Sequence, residues 1–246
     1  MVKGRKSVVK NTTFIGFGSG FDLISPLLCR GCGMRGEVLC ECCKKYILDN
    51  VTRRKIEDFE RKVFQKADYL GFRDEILGEL VEEYKYSSVR EIGEVLAEII
   101  VKGYFEREEE VILVPMPTSR RHIKERGFDH IGLIAREIER LTRGEAEVWR
   151  LLKRAKDTVQ VGADEETRRK QAKEAVLVDD SLLEELFRKK GRKVKVVLFD
   201  DVWTTGASLT EAGRMLKKAG IKNLRALALV KNRQGRSPEI FSGKFI

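Results

Sequence analysis

Short apolar runs alternate with stretches of helical period over the second half of the chain. Val111-Ile112-Leu113-Val114 is an unbroken apolar run stopped by Pro115-Met116-Pro117, which predicts a buried strand and a loop. After Gly127, the apolar residues Ile131, Ile134, Ala135, Ile138 and Leu141 share one helix face. Val148 to Leu152 and Glu174 to Val178 read as further strands, and Val194 to Phe199 as a strongly buried one. A helix from about Leu209 to Ala219 stops at Gly220, and Leu224 to Val230 is the last strand. Alternation of this kind predicts an α/β fold with a parallel sheet flanked by helices. Upstream, residues 53 to 107 are charged with helical spacing, clearest at Ile92, Val95, Leu96, Ile99 and Ile100.

These patterns divide the chain into an N-terminal arm at 1–20, a cysteine-rich module at 21–50, a helical region at 51–107 and an α/β domain at 108–246. No apolar run is long enough to cross a bilayer, and the first residues lack the apolar core of a signal peptide, so the expectation is a cytoplasmic protein without membrane insertion. The formal net charge of +10 favours anionic ligands. The 39 acidic residues interspersed among 49 basic ones fit a solvated mixed-charge surface equally well.

Val196 to Ser208 reads VVLFDDVWTTGAS. Asp200 and Asp201 fall at the carboxyl end of a buried strand, where open α/β sheets place their ligands, and paired carboxylates there can accept hydrogen bonds from vicinal ribose hydroxyls. Thr204 and Thr205 supply hydroxyls, Gly206 lets backbone amides approach a phosphate, and Ser208 is positioned to cap the next helix. A Walker loop is excluded because no Gly-Lys-Ser/Thr follows. The string resembles the phosphoribosyl-pyrophosphate (PRPP) motif of type I phosphoribosyltransferases. That resemblance implies Asp200 and Asp201 as catalytic ribose ligands and Val202, Thr204, Thr205, Gly206, Ala207 and Ser208 as the PRPP phosphate cradle, with Mg²⁺ bound alongside PRPP. It also implies a pyrophosphate loop at Met116, Pro117, Thr118, Ser119 and Arg120, with Arg120 or Arg121 as the cation, and a closing loop within Ala155 to Arg169. Trp203 either shapes a base pocket or packs under the loop.

All five cysteines lie between Cys29 and Cys43. Cys29-x-x-Cys32 and Cys40-x-x-Cys43 give four thiolates at the spacing of a tetrahedral Zn²⁺ site, structural because no open position remains, while Cys42 is a fifth thiol able to compete. Gly31 and Gly33 allow the first pair to turn tightly.

The order of these parts resembles the ComF family of competence-associated proteins over roughly residues 22 to 233. Besides the two Cys-x-x-Cys pairs and the PRPP motif, it rests on Tyr84-Lys85-Tyr86, Val114 to Pro117, Arg126-Gly127-Phe128, and Arg154 through Lys156 and Thr158 to Gln160. Asp129-His130 stand where the family usually has Asn-Gln, and His130 reads as a helix-surface residue rather than a base. The resemblance implies support of single-stranded DNA uptake in natural transformation, with DNA-uptake or replication-restart proteins as partners. Tyr84, Lys85 and Tyr86 would contact single-stranded DNA. The alternatives are an active phosphoribosyltransferase moving ribose 5-phosphate from PRPP to a nitrogen base, and a sensor that binds PRPP without turnover.

Overall fold

The computed structural model describes residues 28–86, 89, 91–107, 110–154 and 176–233. The expected N-terminal arm and the closing loop at 155–169 lie outside the described residues.

The strands are β1 (Arg54–Lys55), β2 (Ala67–Phe72), β3 (Val111–Pro115), β4 (Ala146–Val148), β5 (Leu152–Arg154), β6 (Val176–Val178), β7 (Lys195–Trp203) and β8 (Asn223–Lys231). The helices are α1 (Glu41–Asn50), α2 (Ile76–Tyr86), α3 (Glu91–Gly103), α4 (Arg120–Arg126), α5 (His130–Leu141), α6 (Asp180–Lys190) and α7 (Ala207–Lys218), with a short 3₁₀ turn at Phe105–Arg107. Six strands form the main sheet in the order β1-β2-β8-β7-β3-β4, parallel throughout except for the β1 edge. The expected α/β class, with helices on a mainly parallel sheet, is what the chain adopts.

The sheet is buried on both faces, so its central strands are continuously apolar rather than alternating. Val197, Phe199, Leu113 and Leu227 face α2, α3, α5 and the cysteine module. Val196, Leu198, Ile112 and Val114 face α6 and α7. The cysteine module joins the first of these layers through Cys29, Val38, Leu39, Cys40 and Cys43.

Three expectations change. The stretch at 51–107 is not purely helical: it contributes β2, which pairs in parallel with β8 from Ala67↔Ala226 to Phe72↔Lys231. Asp68 and Gly71 make this strand look polar, but Asp68 is buried against Arg53 at 3.0 Å. The predicted strand at Val148 to Leu152 divides in two. A tight turn closed by the Leu151 amide on the Trp149 carbonyl, at 2.9 Å, separates β4 in the main sheet from β5. The β5 strand instead pairs antiparallel with β6 in a two-stranded ribbon. Finally, β7 continues past Phe199 to Trp203, because β8 stays in register as far as Trp203↔Lys231.

Leu198 is fully buried between β3 and β8. Leu198→Ala is expected to cost about 2–5 kcal/mol of folding stability, read by urea denaturation as a lower midpoint with an unchanged slope.

Candidate functional site: a cavity at the carboxyl ends of β3 and β7

Ladder pairing sets the site. The Met116 amide donates to the Phe199 carbonyl at 2.8 Å, carrying β3–β7 contact one residue past β3 and laying Met116-Pro117-Thr118-Ser119 beside Asp200. A cavity of about 200 Å³ opens there. Its walls bring the expected residues Met116, Pro117, Thr118, Ser119, Asp200 and Asp201 together. Lys85, His122, Arg126, His130, Ile131 and Arg154 complete it.

The loop ends in a helix rather than continuing as coil. Ser119 caps α4, its hydroxyl accepting from the His122 amide at 3.2 Å. Arg120 therefore sits exposed in the first turn of α4, outside the cavity wall, and Arg121 pairs with Glu125 at 2.6 Å. The α4 side chains that reach the cavity are one turn on, His122 and Arg126, which share a helix face. Burial, then the Arg126 charge, hold the His122 imidazole below its ordinary value, which favours its neutral form.

Asp129 fixes the loop. It caps α5 by accepting from the Gly132 amide at 3.1 Å, and it also accepts the Thr118 hydroxyl at 2.8 Å and Arg150 Nη1 at 2.9 Å. Burial would raise this carboxyl, but the three donors outweigh it and hold it low. A Cβ at position 132 would come within 2.2 Å of both Asp129 and Arg150, so only glycine fits.

The two acids of the motif have different fates. Asp201 is buried, and its Oδ2 receives His130 Nε2 at 2.9 Å and Lys85 Nζ at 2.9 Å. His130 is thus an interior residue, not the helix-surface residue expected, because α5 lies with its first turn against β7. Arg126 Nη1, which can only donate, lies 3.1 Å from His130 Nδ1. Burial works to raise Asp201, but the His130 hydrogen bond and the Lys85 charge hold it well below the usual range. Asp200 lines the cavity, and among the described residues its carboxylate accepts only the Asp201 amide, at 3.0 Å. Burial, then the Asp201 charge, push Asp200 up to about 7. The adjacent acids are thereby held in unlike protonation states.

The rest of the motif lies beside the cavity, not in its wall. Gly206 caps α7 at φ 76°, and a Cβ there would lie 2.2 Å from Trp203 Cζ2. Trp203 is buried and packs under the turn, which settles its role in favour of packing. Thr204, Thr205, Ala207 and Ser208 are exposed, and Val202 is half-buried. Ser208 does not cap the helix: Gly206 holds that position, and the Ala207 amide donates to the Thr205 hydroxyl at 3.3 Å.

The phosphoribosyl transferase domain family matches residues 123–246, about half of the chain. The chain belongs to this family. No curated protein matches it. Lys85 and the whole of β3 and its loop lie ahead of the matched segment, so this phosphoribosyl transferase domain draws part of its cavity from the preceding residues.

The second candidate centre is the cysteine cluster. The Sγ atoms of Cys29, Cys32, Cys40 and Cys43 all lie within 4.8 Å of one another. Tetrahedral zinc with bonds of about 2.3 Å needs sulfurs about 3.8 Å apart, and Cys32 and Cys40 are 3.7 Å apart. Burial opposes ionisation of Cys29, but the Cys40 amide, donating to its Sγ at 3.3 Å, and two further amides lower it to about 6. A Cβ at Gly31 would strike Cys43 Sγ at 2.5 Å. The four thiols therefore fit a metal such as Zn²⁺, while Cys42 is exposed outside the group. Among the described residues, no helix is long and apolar enough to cross a membrane.

Tyr84, expected to stack on DNA, is buried at 2 % exposure in the α2–α3 core against Phe128, because its position in α2 shares the face of Leu77, Leu80 and Val81. Lys85 turns to Asp201, and Tyr86 alone of the three is exposed. Six residues were not assigned to the cavity from the sequence: Lys85, His122, Arg126, His130, Ile131 and Arg154. His122, Arg126 and His130 recur at steps of four, a usable signal, while Lys85, Arg126 and Arg154 lie in the motifs that carry the family resemblance, which gave them no place in the cavity.

Two outcomes follow. The raised Asp200 carboxyl contributes stability that is complete below the ordinary aspartate value and lost as pH rises through about 7. Asp200→Asn, which keeps the acceptor oxygen, should melt above the wild type at pH 8 and converge with it near pH 4 in thermal scans. Zinc analysis of purified protein should find one ion per chain, retained by Cys42→Ser and lost by Cys43→Ser.

Proposed function

We propose that the protein binds PRPP in the β3–β7 cavity and transfers its phosphoribosyl group to a nitrogen base, releasing pyrophosphate. The observation that carries this reading is Asp200, which among the described residues accepts only a backbone amide and shares one cavity at the sheet's carboxyl rim with His122, Arg126 and Arg154. An acceptor for sugar hydroxyls and guanidinium groups for a diphosphate thus line the same cavity. The exposed Thr204–Ser208 turn, with its Gly206 cap, supports binding of the 5-phosphate at the start of α7.

In the transfer, the C1–O bond to pyrophosphate breaks, a C1–N bond forms, and the nucleophilic nitrogen loses its proton. Charge builds on the leaving diphosphate, where Arg126 and Arg154 stabilise it. Mg²⁺ brought in with PRPP would neutralise the diphosphate further, and Asp200 is the cavity carboxylate available to support it. Asp201 stands in the same wall with its Oδ2 held by Lys85 and His130, and serves first as the anchor of the site.

A ComF-type role in single-stranded DNA uptake is the second reading. Exposed Tyr86 and the basic charge surplus support it, while buried Tyr84 removes one stacking partner. Structural zinc and residence in the cytoplasm belong to both readings.

Calorimetric titration with PRPP and Mg²⁺ separates the cases. The wild type should bind, Asp200→Asn should bind at least about tenfold more weakly, and added nucleobases should elicit pyrophosphate release. Binding with no release for any base would make the protein a sensor. No PRPP binding, with single-stranded DNA binding that collapses in salt, would favour the second reading.

A further inference from the structure

Lys85 enters the cavity from outside the family-matched segment. It lies in the last turn of α2, with Nζ 2.9 Å from Asp201 Oδ2 and 3.6 Å from Glu82 Oε1, and its side chain is only 12 % exposed. The Asp201 oxygen it meets is doubly served, since His130 Nε2 lies at the same distance. A buried carboxylate with a single partner cannot release it without a large desolvation cost. Asp201 can release Lys85 and still keep a hydrogen bond.

The other strong cations of the cavity are already engaged. Arg126 is held on His130, and Arg154 Nε donates to the Pro117 carbonyl at 2.9 Å. Lys85 carries a compact charge on a flexible stem, suited to following a phosphate as it arrives. A diphosphate also offers more negative charge than one shared carboxylate oxygen.

We propose that Lys85 is a ligand-binding residue of this cavity, moving its ammonium from Asp201 to a phosphate oxygen of the bound phosphosugar. The inference deepens the PRPP reading and rests on it. It makes α2, from the N-terminal half of the chain, a working part of the site.

The test is PRPP and inorganic pyrophosphate titration of the wild type, Lys85→Arg, Lys85→Met and Lys85→Gln across a range of salt. Gln keeps a donor for Asp201 if Met fails to fold. Loss of the charge should weaken PRPP binding by about tenfold or more and flatten its salt dependence, while Lys85→Arg stays within about threefold of the wild type. Affinity unchanged in the Gln or Met variant overturns the proposal. So does weakened binding with the wild-type salt slope, because Lys85 would then act only by holding Asp201. A wild type that binds neither probe overturns the PRPP reading itself, whereas a binding wild type with indifferent variants removes only the role of Lys85.

Discussion

A carboxylate buried at the end of the central strand must be compensated, and the way Asp201 is compensated organises this site. Its Oδ2 draws one donor from α2 and another from α5. Two helices distant in sequence are thereby held against the same point of β7. Because Asp201 takes both donors, its neighbour Asp200 is left, among the described residues, with only a backbone amide, and its charge is disfavoured by burial and by the adjacent anion. One carboxylate is held by two donors and the next is not, an asymmetry that two identical side chains acquire only from their surroundings.

The loop opposite is held with similar economy. Asp129 ties Thr118, the start of α5 and Arg150 into one cluster, so the β3–α4 turn, the α5 N-terminus and the β4–β5 turn share a single carboxylate. The glycine at 132 is the space this cluster needs. The proposed binding of a highly charged phosphosugar would gain from walls that do not have to reorganise.

The cysteine module is also tied to this arrangement. Arg30, between the first two cysteines, pairs with Glu83 of α2 at 2.5 Å, and Glu83 is two residues from Lys85. Lys44 of α1 pairs with Glu98 of α3 at 2.8 Å. The apolar residues of the module join the same layer as α2, α3 and α5. A metal that fixes Cys29 to Cys43 would therefore also stiffen the seat of α2.

The apolar runs at 111–114 and 194–199 and the periodic helices determined the α/β class by themselves, since burial on both sheet faces leaves a local signature. The spacing of the four cysteines and the string from Asp200 to Ser208 likewise marked two candidate centres, because each chemistry needs several residue types close together in sequence. Tertiary structure alone decided that β2 belongs to the sheet, that Tyr84 is core, that His130 is interior and that Lys85 meets Asp201. Those facts depend on which distant elements share a face. A polar residue carries no local mark of whether its partner is water or a carboxylate more than a hundred residues away, and only the packed fold settles that choice.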